Sequence, residues 1–184
     1  MKPTQRQKGF TLIEVMISIV IMTVGLVSLL GVFGLAMAST QSSDQNAIAK
    51  QIANEALEGI LTARETANIT WNQIANTGAG GIFLSGFLPI DLPGVDGIIG
   101  TADDAAAGPQ VLDMPGPDGI FGTADDVFLP LSNYKRQIVI TPALDQNGNP
   151  IPTLDVVTIT VQYVNPQIKI AQNYVLTTFV SQYR

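Results

Sequence analysis

The sequence predicts an α+β protein in which one long N-terminal helix packs on a three-stranded antiparallel sheet. Three observations support this fold class: an apolar run from Phe10 to Ala38, apolar residues that recur at helical spacing as far as Arg64, and three β-rich segments near the C-terminus. A chain of 184 residues suits one modest core beside a membrane segment.

The composition excludes several classes of function. The chain contains no cysteine and no histidine, so it forms neither disulfides nor thiolate metal sites, and it lacks the commonest acid–base group. Its formal net charge is -6, and no Lys or Arg lies between Arg64 and Lys135. We therefore expect no enzymatic activity, no catalytic residues and no nucleic-acid partner.

The chain begins with a basic leader, residues 1–9, that is followed by an apolar helix, residues 10–38. Lys2, Arg6 and Lys8 precede the apolar run, in which Glu14 is the one ionisable residue. At about 1.5 Å per residue, a helix of this length exceeds the hydrocarbon core of about 30 Å. The leader is expected to stay cytoplasmic, because positively charged flanks remain inside.

Two simpler interpretations of this segment stay open. Ala36-Met37-Ala38 fits a secretory cleavage site, although the apolar run is far longer than that of a signal peptide. A plain membrane anchor fits the length but gives no reason for Glu14, because a charge in the bilayer costs about 2.5 to 3.5 kcal/mol. Glu14 also lies near enough to the helix end to reach the cytoplasmic headgroups.

The junction between leader and helix resembles a known processing signal. The segment Lys8-Gly9-Phe10-Thr11-Leu12-Ile13-Glu14 is similar to the signal of type IV prepilins and secretion pseudopilins. This resemblance implies that a prepilin peptidase cleaves after Gly9 and methylates the new N-terminal Phe10. The run from Val15 to Leu26 resembles that of the minor pilins called type IV pilus modification proteins.

The resemblance also implies residue roles and partners. Gly9 and Phe10 form the processing site, and Phe10 and Glu14 form the assembly site, in which Glu14 meets the Phe10 amine of a neighbouring subunit. Charges buried in an apolar filament are tolerated only when they are paired. The implied partners are prepilin peptidase, other pilin subunits, the inner-membrane assembly platform and the membrane. The precursor would lie in the inner membrane, and the mature chain in an extracellular or periplasmic filament.

The helix is predicted to continue without a break to Arg64. Residues 39–66 form its amphipathic half, because the polar run Ser39–Asp44 has no Pro or Gly and apolar residues then recur at helical spacing. The apolar residues that we expect to pack on the globular part are Ile48, Ile52, Ala53, Ala56, Leu57, Ile60 and Leu61.

The rest of the chain divides into an irregular loop and an antiparallel meander. Residues 67–130 are rich in Gly, Pro and Asp and show no sustained periodicity, which is typical of a long loop. Residues 131–184 contain three strand-like runs, in which one face of the middle strand is apolar and is expected to pack on the helix. The predicted strands are Tyr134–Thr141, Leu154–Val164 and Tyr174–Tyr183, with an Asn147-Gly148 turn between the first two.

This order of helix, loop and meander matches the pilin fold. Many major pilins close a C-terminal loop with a disulfide, which a chain without cysteine cannot form. That departure favours a minor pilin, a pseudopilin or a pilin that is stabilised in another way.

The loop contains a duplicated acidic segment. Asp91–Asp104 recurs 22 residues later as Asp113–Asp126, with eleven of fourteen positions identical. Each copy carries Asp at its first, sixth, thirteenth and fourteenth positions, among glycines that let the backbone fold tightly and expose carbonyls. The candidate metal ligands are Asp91, Asp96, Asp103, Asp104, Asp113, Asp118, Asp125 and Asp126.

Carboxylates and carbonyls are hard oxygen ligands that suit calcium, so calcium is the predicted cofactor. The spacing is not that of an EF-hand. Two other interpretations stay open, namely solvated acidic turns and a catalytic carboxylate pair. Identical repeated units favour binding over catalysis, because a catalytic pair needs two different environments.

The sequence therefore predicts a structural filament subunit. One alternative is a pseudopilin of a type II-like secretion system. An alternative of another class is a membrane-anchored calcium-dependent binding module. A plain tether would need neither the Gly9-Phe10 junction nor Glu14, which separates these classes.

Overall fold

The computed structural model describes residues 9–164 and 170–183. The basic residues of the predicted leader lie outside the described residues. The helices are α1 (Leu12–Glu65) and α2 (Asp104–Ala107), with single 3-10 turns at Trp71–Gln73 and Thr77–Ala79. The strands are β1 (Leu88–Pro89), β2 (Val111–Met114), β3 (Val127–Pro130), β4 (Tyr134–Leu144), β5 (Pro150–Val164) and β6 (Ala171–Ser181). Two compact units are present, Met1–Ser43 and Asp44–Arg184.

Helix α1 confirms the predicted long helix, with ends at Leu12 and Glu65. It has no interior break, because its glycines weaken a helix without removing a hydrogen bond, as proline would. The helix ends where Ala67 adopts a left-handed φ of 59°. The Asn68 N–H then donates to the Ala63 carbonyl at 2.9 Å, which satisfies one of the last carbonyls of the helix.

The core of the second unit forms between one face of α1 and the inner face of the sheet. The apolar stripe predicted along the helix is confirmed, with the larger Ile48, Leu57 and Leu61 half-buried at its margins. The helix residues that are buried are Ala49, Ile52, Ala53, Ala56, Ile60 and Ala63. The face predicted for the middle strand is also buried, through Val157, Ile159, Val161 and Tyr163.

The main sheet has four antiparallel strands in the order β1-β4-β5-β6. The three predicted strands are therefore present, and β1 adds a two-residue edge. The turn between β4 and β5 is held by Asp145, whose Oδ1 accepts from the amides of Asn147 and Asn149, both at 2.8 Å. Gly148 supplies the positive φ of 82° that this turn requires.

Residues 67–130 contain more regular structure than the sequence predicts. Besides the 3-10 turns, β1 and α2, strands β2 and β3 pair with each other as a separate two-stranded sheet. These elements are two to four residues long, which is too short for a hydrophobic period to be visible in the sequence.

Asn76 joins this segment to β4. Its side-chain amide donates to the Ile138 carbonyl and its Oδ1 accepts from the Ile140 amide, both at 2.8 Å. The short β1 pairs with residues 135 and 136 alone, so Asn76 satisfies the next two ladder positions of β4. A side chain thus replaces a paired strand and holds residues 67–83 against the sheet.

Candidate functional sites

The first candidate site lies at the start of α1. Gly9 and Phe10 precede the helix, and the Phe10 side chain is 84% exposed. Thr11 caps the helix, because its hydroxyl accepts a hydrogen bond from the Glu14 amide at 3.3 Å. Sequence reasoning missed this role of Thr11, although Thr11-Leu12-Ile13-Glu14 has the pattern of a capping box.

Glu14 and Phe10 share one face of the first turns. Together with Ser18 and Met22, one and two turns further on, they line an open groove that is otherwise apolar. The Glu14 side chain is exposed, and among the described residues no Lys or Arg forms an ion pair with it. A carboxylate in the first turn interacts favourably with the helix dipole. Because Glu14 is exposed, a cation from outside the chain can still bind it.

The segment after Glu14 presents apolar side chains on every side. Helix α1 contains the one stretch in the described residues that is long and apolar enough to cross a membrane, with a mean hydropathy of 2.6 in its most apolar window. Leu30, Phe33, Leu35 and Met37 are each between 65% and 74% exposed. A surface of this kind is stable in lipid or against other helices, and it suggests membrane anchoring of the precursor.

The second candidate site is the first acidic loop, residues 91–104. Its carboxylates are hydrogen-bonded to the backbone and to one hydroxyl. Asp104 accepts from the amides of Gly94 at 3.2 Å and Gly100 at 2.6 Å. Asp103 accepts from the Asp96 amide at 3.1 Å and from the Thr101 hydroxyl at 2.6 Å. These bonds fold the loop back on its own carboxylates.

Glycines permit this fold at two positions in the loop. At Gly94 an added Cβ would collide with the side chain and backbone of Asp103, so only glycine allows this approach. At Gly100 the φ is +93°, and an added Cβ would lie 2.7 Å from Ile138 Cδ1. The close approach and the left-handed backbone together explain why the loop is built on glycine and aspartate.

The second acidic loop, residues 113–126, repeats the network of the first. Asp125 accepts from the Asp118 amide at 3.3 Å and from the Thr123 hydroxyl at 2.7 Å. Asp126 accepts from the Gly122 amide at 2.6 Å, as Asp104 does from Gly100. The local sequence therefore dictates the loop conformation in both places. Sequence reasoning also missed the threonines, which the repeated Gly-Thr-Ala-Asp-Asp segment could have indicated.

The predicted ligands are not all brought together. One carboxylate oxygen each from Asp96, Asp103 and Asp104 lie within 4.8 Å of one another, which is a spacing that can hold a metal ion. Among the described residues, Asp118, Asp125 and Asp126 of the second loop do not form such a group. The first aspartate of each loop lies elsewhere: Asp91 bridges to Pro109, and Asp113 lies in β2 opposite Phe128.

The electrostatics of the loops depend on the threonines and on burial. The Thr101 hydroxyl, and then the Asp96 amide, lower the pKa of Asp103, and the Thr123 hydroxyl has the same effect on the pKa of Asp125. Burial raises the pKa of Asp104, against the opposing effects of two backbone amides and of Arg136. The first loop therefore carries one carboxylate in an environment that is partly removed from water.

Arg136 is a buried cation that the sequence reasoning did not single out. Its residue is 4% exposed on the inner face of β4, and its Nη1 has no hydrogen-bond partner among the described residues. Burial lowers the pKa of Arg136, while the carboxylates of Glu55, Asp104 and Asp91 oppose that effect. The sequence does carry a signal for it, because Arg136 occupies a position of β4 at which the alternating pattern places buried side chains. A guanidinium stays cationic at neutral pH, so it requires these carboxylates.

The two loops differ in what surrounds them. Ile98 and Ile99 of the first loop are 3% and 5% exposed and belong to the core. Their counterparts in the second loop, Ile120 and Phe121, are 60% and 63% exposed. The same local fold therefore presents an apolar pair to the core in one case and to the surroundings in the other.

Comparison with known proteins gives one match. The family model described as the prokaryotic N-terminal methylation motif matches residues 4–30. Together with the apolar helix, this match is consistent with a type IV pilin-like protein and confirms the resemblance drawn from residues 8–14. No curated protein and no solved structure matches the chain.

Replacing Gly100 by alanine is expected to destabilise the fold more than the same change at Gly122. Both positions have a positive φ, so each variant incurs left-handed strain of about 1 to 2 kcal/mol. Only at Gly100 does the new Cβ also meet Ile138 and Phe83, which adds about 1 to 3 kcal/mol of overpacking. Denaturant unfolding of the purified chain in detergent measures both changes. Equal losses would mean that the first loop is held no more tightly than the second.

Proposed function

We propose that this chain is a structural subunit of a type IV pilus or related filament, processed by prepilin peptidase and assembled through α1. The observation that carries this proposal is the methylation motif at residues 4–30, which leads directly into an exposed apolar helix. The motif itself supports a type IV pilin or pseudopilin-like substrate of prepilin peptidase. It also suggests a structural protein rather than an enzyme.

The chemistry of processing explains why Glu14 is present. Hydrolysis of the Gly9-Phe10 peptide bond releases a new α-ammonium at Phe10, which stays cationic when it is methylated. In a filament the first turns of α1 would be surrounded by other apolar helices, where an unpaired charge is costly. Glu14 of one subunit would then pair with the Phe10 ammonium of the next and fix the register between them.

A pseudopilin of a secretion system would use the same processing and the same helix. The two assignments differ in where the filament ends, because a pilus reaches the cell surface and a pseudopilus stays in the periplasm. Shearing filaments from cells and identifying their subunits by mass separates the two assignments.

We also propose that the acidic loops bind calcium. The proposal is supported by the approach of three carboxylates in the first loop to within 4.8 Å and by the repetition of its hydrogen bonds in the second loop. Like charges at about 4 Å repel by about 1 kcal/mol even in water. A divalent cation would remove that repulsion. The competing account is a solvated turn, in which amides and hydroxyls alone balance the carboxylates.

The mature chain is expected to begin at Phe10. Intact-mass measurement of the chain from its native membrane gives the answer directly. A chain that starts at Ser39 would instead establish a secretory signal, and one that starts at Met1 a plain anchor. Gly9→Val is expected to leave unprocessed precursor in the membrane, because a bulky side chain would occupy the cleavage position.

Glu14 variants are expected to separate charge pairing from side-chain polarity. Glu14→Leu removes both the charge and the polar group, whereas Glu14→Gln keeps a polar side chain of similar size without the charge. Thr11 can cap the helix in both variants, because its hydroxyl accepts from the backbone amide of residue 14. Loss of one member of a buried pair costs about 3 to 5 kcal/mol, so both variants should be processed but poorly incorporated into filaments. The measurement is the ratio of variant to wild-type chain in sheared filaments. Normal incorporation of Glu14→Gln would contradict the charge pairing.

Calcium is expected to raise the melting temperature of the purified full chain in detergent. Extracellular calcium sites have dissociation constants of about 0.1 to 1 mM. Calcium at ten times such a constant therefore stabilises the fold by about 1.4 kcal/mol. The double change Asp96→Asn with Asp118→Asn should shrink this effect. The control, Asp44→Asn with Glu58→Gln, removes the same charge from exposed positions of α1 and should leave it unchanged.

Magnesium distinguishes the calcium site from a solvated turn. It should substitute poorly at a true site, because it demands a tight octahedral geometry and releases water reluctantly. A small shift that magnesium reproduces and that added salt abolishes would assign the loops to solvated turns. Titration calorimetry without saturable binding would remove calcium from the proposal and leave the filament assignment intact.

A further inference from the structure

The second acidic loop and the two strands that hold it form a projecting segment, residues 111–130, which we name the acidic arm. Strands β2 and β3 pair with each other and with no other strand in the described part of the chain. An isolated two-stranded hairpin is marginally stable in water. The paired Leu112 and Leu129 are half-buried, and most other residues of the arm are exposed.

The arm exposes large apolar side chains. Ile120 and Phe121 at its loop, and Met114, Val127 and Phe128 on its strands, are each between 43% and 63% exposed. Met114 and Val127 share a face with Leu112 and Leu129, whereas Phe128 lies on the other face beside Asp113. Large exposed apolar side chains that gather on a soluble domain mark interaction sites. The first acidic loop demonstrates the use of such a pair, because Ile98 and Ile99 dock into the core from the same loop conformation.

The charges of the arm lack a counterpart within the described residues. Asp113, Asp118, Asp125 and Asp126 are its four ionisable residues, and no Lys or Arg lies in it. The first loop differs, because the buried Arg136 of β4 lies close enough to Asp104 to lower its pKa. No ion pair involves the arm in the part of the chain that the structure describes. A partner of the arm should therefore be apolar, free of acidic groups and weakly basic.

The outer face of the four-stranded sheet has these properties. It is formed by alternate residues of β4, β5 and β6, and their register places Val139, Thr158 and Thr177 in one row. Val139, Val175 and Phe179 are 36%, 55% and 65% exposed. No Asp or Glu lies on this face among the described residues, and Lys135 is its cation. The inner-face carboxylate Asp155 points away from it, in the register of Val157 and Ile159.

We propose that the acidic arm of one chain docks on the outer sheet face of a second copy of the same chain. The occupant is a second copy because the two surfaces complement each other in charge and in apolar character, and every chain carries both. Such a contact joins different surfaces on the two partners, so it continues from subunit to subunit. The inference rests on the proposed filament function. It adds a second contact between neighbouring subunits, arm to sheet, to the contact between their α1 helices.

Disulfide cross-linking tests the contact, since the natural chain has no cysteine. Two full-length chains with different tags are co-expressed, one carrying Phe121→Cys and the other Val175→Cys. Mild oxidation of membranes and of sheared filaments should give a heterodimer. In the matched control, the first chain carries Val95→Cys instead of Phe121→Cys. Val95 is a fully exposed residue of the first loop, so this pair should give a several-fold lower yield of heterodimer.

Charge reversal provides a second test, in which the yield of the same heterodimer is measured after a surface charge is changed. With a chelator present, so that calcium does not neutralise the arm, Lys135→Glu on the sheet-bearing chain should lower the yield of heterodimer several-fold, because it faces an arm with four carboxylates. Asp118→Lys on the arm-bearing chain should restore part of that yield. Rescue of this kind would not follow from a variant that simply misfolds.

The outcomes separate this contact from the filament assignment. Filaments that contain the mature chain, with no heterodimer above the Val95→Cys level, would overturn the docking and leave the proposed function intact. A heterodimer in membranes together with filaments that lack the chain would support the docking and overturn the filament function. If no filaments form and the membranes contain no heterodimer, the docking is also overturned.

Discussion

The burial of one face of α1 against the inner face of the four-stranded sheet is the constraint on which the rest of the structure depends. The helix contributes small side chains at the contact, and Ala49, Ala53 and Ala56 have no exposed surface. Small residues allow the sheet and the loops to approach the helix closely. Phe83 and the Ile98-Ile99 pair complete the same core from residues 67–130. The apolar first half of α1, the acidic arm and the outer sheet face remain available for lipid or other subunits.

The duplicated loop separates local from tertiary effects within one molecule. Both copies form the same turn, because the Asp–amide and Asp–Thr hydrogen bonds and the left-handed glycines are internal to each copy. Only the first copy is continuous with the core, through Gly100 beside Ile138 and Phe83. The second copy has the same conformation and carries Phe121 where the first carries Ile99, and this larger apolar side chain is exposed.

Two single charges in apolar surroundings are compensated in different ways. Arg136 has carboxylates from α1 and from the first loop around it, so its charge is balanced inside the chain. Glu14 lies on an exposed apolar helix without a cationic partner among the described residues. Physical chemistry requires a partner wherever such a group leaves water. In the filament that we propose, a neighbouring subunit would supply the cation for Glu14.

The sequence by itself determined the features that depend on neighbours in the chain. These are the N-terminal methylation motif, the extent of α1, the three long strands and the duplicated loop, all of which rest on periodicity, on propensity or on a motif within a few residues. Tertiary structure decided what is set by distant residues. Asn76 completes the edge of β4, and Arg136 lies among carboxylates of α1 and the first loop. The apolar pair of the first loop is buried, whereas that of the second is exposed. No local pattern encodes these outcomes, because each depends on which segment occupies the space beside it after the chain has folded.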